Sequence, residues 1–178
     1  MPTAENDASN VCARCAQHSG TCCSLQRGQE ELCFPLSALE RARMEAAGAS
    51  GLDFACQANT NAFVDNLCRL FPGEAQAITR LFPSSGFHDR LAIAADGGCA
   101  LLGPEGCRLP RPARPLYCRL FPFWIRARRE LYFEFDKCLA QREARGGASL
   151  LMRLGMTSEN VRHTYSELRM AWGLPERK

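Results

Sequence analysis

Apolar positions recur at helical spacing most clearly near the C-terminus. Val161, Tyr165, Leu168 and Trp172 stand at i, i+4, i+7 and i+11, the single stripe of an amphipathic helix. Thr157 precedes the stripe as a start signal, and Gly173 and Pro175 follow it, so a helix running to about Trp172 is predicted. Elsewhere the stripes are weak and the element ends carry the signal. Ser37 followed by Glu40 makes a capping box ahead of a helix over 38–47, which Gly48 stops. Further helices are predicted over 62–70 and 74–81, ending before Pro72 and Pro83. Proline has no N–H to donate and pushes the residue before it out of the helical region.

Strands show as alternation. Residues 123–127 and 131–135 alternate as a pair would. Residues 90–94 lead through Asp96-Gly97-Gly98 into 99–102, and Asp-Gly between apolar runs signals a hairpin. The stretches 11–23 and 48–61 read as loops, the first containing Ser19, Gly20 and Thr21. Arg-Leu-Phe-Pro occurs at 69–72, 80–83 and 119–122 with unlike flanks, so it reads as three apolar elements ending alike. The pattern predicts an α+β fold. It reads as a small irregular cysteine-rich domain with short helices and β-hairpins, plus a C-terminal helix. Residues 1–10 read as a disordered lead, 11–145 as the cysteine-cluster domain, and 146–178 as a helical segment packed on it.

Composition narrows the chemistry. A chain of 178 residues fits one domain and buries about 70% of its unfolded surface, so its size does not demand a metal. The net charge of +3 is mild and does not call for a polyanionic partner. The start, Met1-Pro2-Thr3-Ala4-Glu5-Asn6-Asp7, lacks the basic and apolar regions of a signal peptide, and no run approaches about 20 apolar residues. A cytoplasmic protein away from the membrane is expected. That compartment keeps thiols reduced, and the odd count of eleven cysteines fits disulfides poorly, so metal ligation is the favoured reading.

Eight of the eleven fall into two arrays. The first is Cys12-x2-Cys15-x6-Cys22-Cys23; the second is Cys99, Cys107 and Cys118, closed by Cys138 after the predicted 123–135 hairpin. Thiolates are soft anionic ligands that suit zinc and iron–sulfur clusters alike. Adjacent side chains in extended backbone point apart. Cys22 and Cys23 therefore either sit on a kink or serve different centres, and eight ligands divided as two sets of four favour the second. Gly103, Pro104 and Gly106 put a tight turn between Cys99 and Cys107. From 106 to 129 there are seven arginines and no acid. Four thiolates around zinc leave a charge of about −2, which arginines beside the sulfurs would offset. Arg114 and Arg119 are the candidates; Arg126, Arg128 and Arg129 read equally well as a solvated basic face. Cys33, Cys56 and Cys68 lie outside both arrays and read as core packing. His18 fits no zinc-knuckle spacing, and His88 and His163 have no metal spacing.

The run Arg114-Pro115-x2-Cys118-Arg119-x-Phe121-Pro122, downstream of the Cys12-x2-Cys15 and Cys22-Cys23 array, resembles the bacterial YkgJ-like cysteine-cluster family. That family is also described as the CxxCxxCC zinc- or iron-chelating domain, or as Fe–S-cluster-containing protein. The resemblance covers roughly residues 11 to 138. It implies metal chelation by these cysteines and favours an iron–sulfur cluster of the [4Fe–4S] type over zinc. This chain departs from the pattern where six residues separate Cys15 from Cys22. Flagellin lysine methylases are similar in cysteine pattern on a longer chain, which implies methyl transfer as an alternative.

Absent motifs set the order of the functional readings. There is no radical-SAM or ferredoxin array, no dinucleotide fingerprint and no P-loop. Four-thiolate sites are closed to substrate, so a metal-binding protein with an accessory, electron-transfer or structural role is expected ahead of an enzyme. A nucleic-acid-binding zinc module, with Tyr117, Phe121 and Trp124 stacking beside the arginine strip, comes last because finger spacing is absent.

Overall fold

The computed structural model describes residues 11–18, 21–25 and 28–175. The expected lead over 1–10, and Ser19 and Gly20 of the first loop, lie outside these. A short helix, α1, occupies residues 11–16, where a loop was expected. The loop reading rested on Ser19, Gly20 and Thr21. Ala13, Arg14 and Ala16 just before them are good helix formers, and Val11 is buried in the larger core as its anchor.

The capping box is present in both directions. Ser37 Oγ accepts from the Glu40 N–H (3.3 Å) and the Glu40 carboxylate accepts from the Ser37 N–H (3.0 Å). The helix it opens, α2, spans Ala38–Ala46, and Gly48 follows at φ +100°. The segment 48–61 is not wholly a loop: it holds the strand β1, Phe54–Ala58, ahead of α3, Asn61–Leu70, and α4, Ala75–Leu81. The partner of β1 is β2, Phe87–Leu91, antiparallel with Phe54 opposite Leu91 and Ala58 opposite Phe87. The expected pairing of 90–94 with 99–102 is present beyond the end of β2, where the Ala100 N–H donates to Ala92 O (2.9 Å). There the Ala94 N–H donates to Gly98 O (2.7 Å), and a single bridge joins Ile93 and Cys99.

A tight hairpin follows, β3 Leu102–Gly103 against β4 Gly106–Cys107. Next come α5, Leu116–Leu120, and the pair β5 Phe123–Arg126 and β6 Arg129–Tyr132. Ala127 and Arg128 make the β5–β6 turn at φ 48° and 63°, the primed geometry that matches strand twist. That two-residue turn ends the pairing earlier than the expected 131–135. Two short helices not predicted, α6 Leu139–Glu143 and α7 Gly147–Arg153, precede α8, Ser158–Ala171. Thr157 caps α8 as predicted, with Asn160 completing the box. The three Arg-Leu-Phe-Pro copies close α3, α4 and α5.

Two apolar cores result. The larger gathers Val11, Phe63, Leu67, Leu120, Phe123, Trp124, Leu150, Val161 and Leu168. Within it the Arg169 guanidinium and the Glu74 carboxylate meet at 2.9 Å, Arg169 being 2% exposed. The smaller gathers Leu36, Met44, Leu101, Leu109 and Ala113. Among the described residues, no helix is long and apolar enough to cross a membrane.

Candidate metal centre

The adjacent pair sits on a kink. Ser24 N–H donates to Thr21 O (2.9 Å), so Cys22 and Cys23 are the central residues of a turn, and Thr21 Oγ1 accepts from the Cys23 N–H (3.2 Å). The turn aims both sulfurs to one side, where the Cys22 thiol hydrogen-bonds Cys23. The kink removes the geometric need, argued from extended backbone, to send them to different centres. That hydrogen bond holds the Cys22 thiol well above its usual value, and burial adds to the rise. Cys23, which accepts it, is lowered to about 7 against the opposing pull of burial, with Arg114 assisting.

Main-chain bonds stitch this turn to the second array. The Cys99 N–H donates to Cys23 O (2.7 Å) and the Leu25 N–H to Gly97 O (2.8 Å). A Cβ at Gly97 would stand 2.5 Å from Leu25 O, so only glycine permits this approach. Cys99 and Cys107 then flank the β3–β4 hairpin, and Gly106 of that hairpin faces Cys12 O on α1. Cys12 and Cys15 stand three apart on α1, neighbours on a helix surface. Cys118 is carried by α5.

The thiols sense one another across the two arrays. Cys118 is raised first by burial, then by Cys23, Cys99 and Cys107. Cys99 is pushed up to about 12 by burial first, with Cys23, Cys107 and Cys33 adding to it. Cys12 is raised by burial and by Cys15 and Cys23, against Arg114 and Arg111. Cys12, Cys22, Cys23, Cys99 and Cys118 are thus linked pairwise across the two arrays, with Cys15 joined through Cys12 and Cys107 and Cys33 through Cys99. Cys12, Cys22 and Cys118 are also open to solvent.

Cys138 lies elsewhere. It is buried in the larger core, preceding α6, and the thiol it senses is Cys15. The two arrays therefore intermix in space and do not form two sets as ordered along the chain. Of the two expected arginines, Arg114 lies beside Cys12 and Cys23, its Nε donating to Leu109 O (2.9 Å). Arg119 turns to α8 instead, where Nη2 is 3.4 Å from the Glu167 carboxylate. It follows Cys118 by one residue, about 100° round a helix, so the two face apart. Arg111 is the cation the spacing missed: it acts on Cys12 while Nη1 donates to Leu154 O (2.8 Å). Its position three residues before Arg114 was the available signal.

The remaining cysteines divide. Cys68 packs on the larger core from α3, as expected. Cys56 is exposed on β1, which corrects the packing assignment: an outward position on a two-stranded ribbon has no core to meet. Cys33 is half-buried, belongs to neither core, and acts on Cys99 and Tyr117. His18 is exposed. His88 is buried, stacked on Phe63 at 3.8 Å with Nδ1 bonded to Asn59 (2.8 Å). Trp124 is 2% exposed and its Nε1 donates to Leu70 O (3.0 Å), which removes it as a stacking surface for a base.

The donor type suits a thiophilic metal, soft thiolates with the Arg111 and Arg114 guanidiniums acting on Cys12. As the side chains stand, no three cysteine, histidine, aspartate or glutamate groups among the described residues are close enough to hold one metal ion. A cysteine thiol turns about a single bond, χ1, between staggered positions. No family model, curated protein or solved structure matches this chain.

Proposed function

We propose that this protein binds an iron–sulfur cluster or zinc through cysteine thiolates, in an accessory, electron-transfer or structural role in the bacterial cytoplasm. The observation that carries the reading is the main-chain stitch from Cys99 N–H to Cys23 O, which draws thiols 76 residues apart in sequence into one neighbourhood. Eleven cysteines stand unpaired in the chain, and Arg114 acts on Cys12 and Cys23 and Arg111 on Cys12. Such a constellation stabilises thiolates once a cation displaces their protons, and the guanidiniums offset the negative charge that remains. The resemblance of the 114–122 run to the YkgJ-like family points the same way and favours iron–sulfur.

Anaerobic purification followed by iron, zinc and acid-labile sulfide analysis and a visible spectrum tests this. Stoichiometric iron and sulfide with a brown chromophore supports the cluster. A colourless protein with stoichiometric zinc supports the zinc form. A folded chain that takes up neither metal overturns the proposal.

A further inference from the structure

The β5–β6 hairpin breaks two local rules at its tip. Its two-residue turn holds Ala127 and Arg128 at φ 48° and 63°. Turns of this hand favour Asn, Asp or Gly, because at positive φ a Cβ crowds the following carbonyl. Flanking the turn, Arg126 stands directly opposite Arg129 in the antiparallel register. Like charges placed so repel and destabilise the strand pair. Arg126, Arg128 and Arg129 are all exposed, and among the described residues no carboxylate forms an ion pair with Arg126 or Arg129. The acid next in sequence does not relieve them. Glu130 sits opposite Ile125, on the other face of the ribbon, and its Oε2 is buried with no hydrogen-bond partner. Two local rules broken together, with no gain inside the fold, mark a place held for something outside it.

We infer that this tip docks an acidic face of a partner protein, where the Arg126, Arg128 and Arg129 guanidiniums take clustered aspartate and glutamate carboxylates. The planar guanidinium fork matches a carboxylate through two parallel N–H···O bonds. Carboxylates arriving between Arg126 and Arg129 turn their repulsion into attraction, so the complex relieves what the free chain tolerates. Other polyanions match the tip less well. A single-stranded nucleic acid stacks its bases on exposed rings, and Phe123 and Trp124 of β5 are 1% and 2% exposed. An anionic membrane surface takes apolar side chains beside the cations, and residues 126–129 carry none larger than Ala127. Along the chain these arginines read equally well as a solvated face. The register separates the two readings, because it shows that holding them there destabilises the hairpin. No cysteine enters the argument, so it stands apart from the metal centre.

The test uses the full-length chain as isolated, at low ionic strength, where exposed charges are least screened. A dye-labelled oligoglutamate peptide is titrated by fluorescence anisotropy. The double variant Arg126→Gln/Arg129→Gln should weaken its binding about fivefold or more. The control Arg80→Gln/Arg162→Gln removes the same charge from exposed positions on α4 and α8 and should weaken it less than about twofold. Urea unfolding of the same proteins reads the strain. The tip variant should unfold at a higher urea midpoint than wild type, because the opposed like charges are gone. Arg128→Gly should also raise the midpoint, because glycine adopts positive φ freely. Equal loss of binding in both double variants, or a tip variant no more stable than wild type, overturns the inference. Tighter binding of an oligothymidylate of the same charge, lost with the tip arginines, overturns the protein partner in favour of nucleic acid. Wild-type protein that leaves oligoglutamate unbound overturns the docking site itself.

Discussion

At the scale of single residues, environment separates side chains that composition counts as equal. Cys118 stands among Cys23, Cys99 and Cys107, whereas Cys56 stands alone on an exposed strand. Cys118→Ala should therefore strip metal and loosen the surrounding fold, because structural metal binding contributes folding energy on the order of 10 kcal/mol. Cys56→Ala should leave metal content unchanged, so equal loss in both variants by elemental analysis would contradict the assignment. His88 gives a second prediction, independent of metal. Burial, then the neighbouring Arg90 charge, lower it to about 4, partly offset by Asp89. The unfolded chain takes up a proton near 6.5 while the folded protein holds the ring neutral, so stability is full above that pH and drains away as pH falls. Between about pH 7 and about pH 5 the loss should be about 2 kcal/mol. Urea titrations at the two values measure it, and His88→Gln should flatten most of the difference.

At the scale of elements, one carboxylate couples two helices. Glu40 is 2% exposed; Oε2 accepts from Ser37 N–H and Oγ–H, and Oε1 accepts from the Leu116 N–H at the start of α5 (2.8 Å). Glu40→Ala orphans these donors and should cost about 3 kcal/mol in urea unfolding. It should also speed labelling of Cys118, and Glu40→Gln, keeping one acceptor oxygen, should recover part of both. Gly97 holds the other coupling. Gly97→Ala combines positive φ with a Cβ 2.5 Å from Leu25 O, should cost about 2 kcal/mol, and should speed alkylation of the half-buried Cys23. Gly48→Ala, at φ +100° but in open space, should leave those thiols untouched. Legibility follows the range of the signal. Helices α2 and α8 were readable because Ser37, Glu40 and Thr157 act within one turn. The strand β1 was not readable: Phe-Ala-Cys-Gln-Ala is a weak strand sequence, and its partner lies some thirty residues on.

At the scale of the whole molecule, the thiols form a seam between the two cores. Cys99 and Cys107 pack on the smaller cluster, while Cys118 rides on α5, whose Leu116 and Leu120 belong to the larger. Spacing named eight ligand candidates, because a ligand hairpin leaves a local trace. It could not say which faced which, because that depends on the Cys23–Cys99 main-chain bond and on Cys138 descending into the larger core near Cys15. Trp124 lies on the larger side of the seam, its ring centroid 6.1 Å from Tyr117, the neighbour of Cys118. Its burial has an optical consequence. A coloured iron–sulfur cluster this near would drain the indole's excited state, whereas zinc, a closed-shell d10 ion, has no transitions to receive it. Stripping an iron–sulfur protein with chelator should brighten tryptophan emission severalfold, and stripping a zinc protein should leave it nearly unchanged. The chain carries its own light source beside the sulfurs, and a fluorimeter can distinguish the metals.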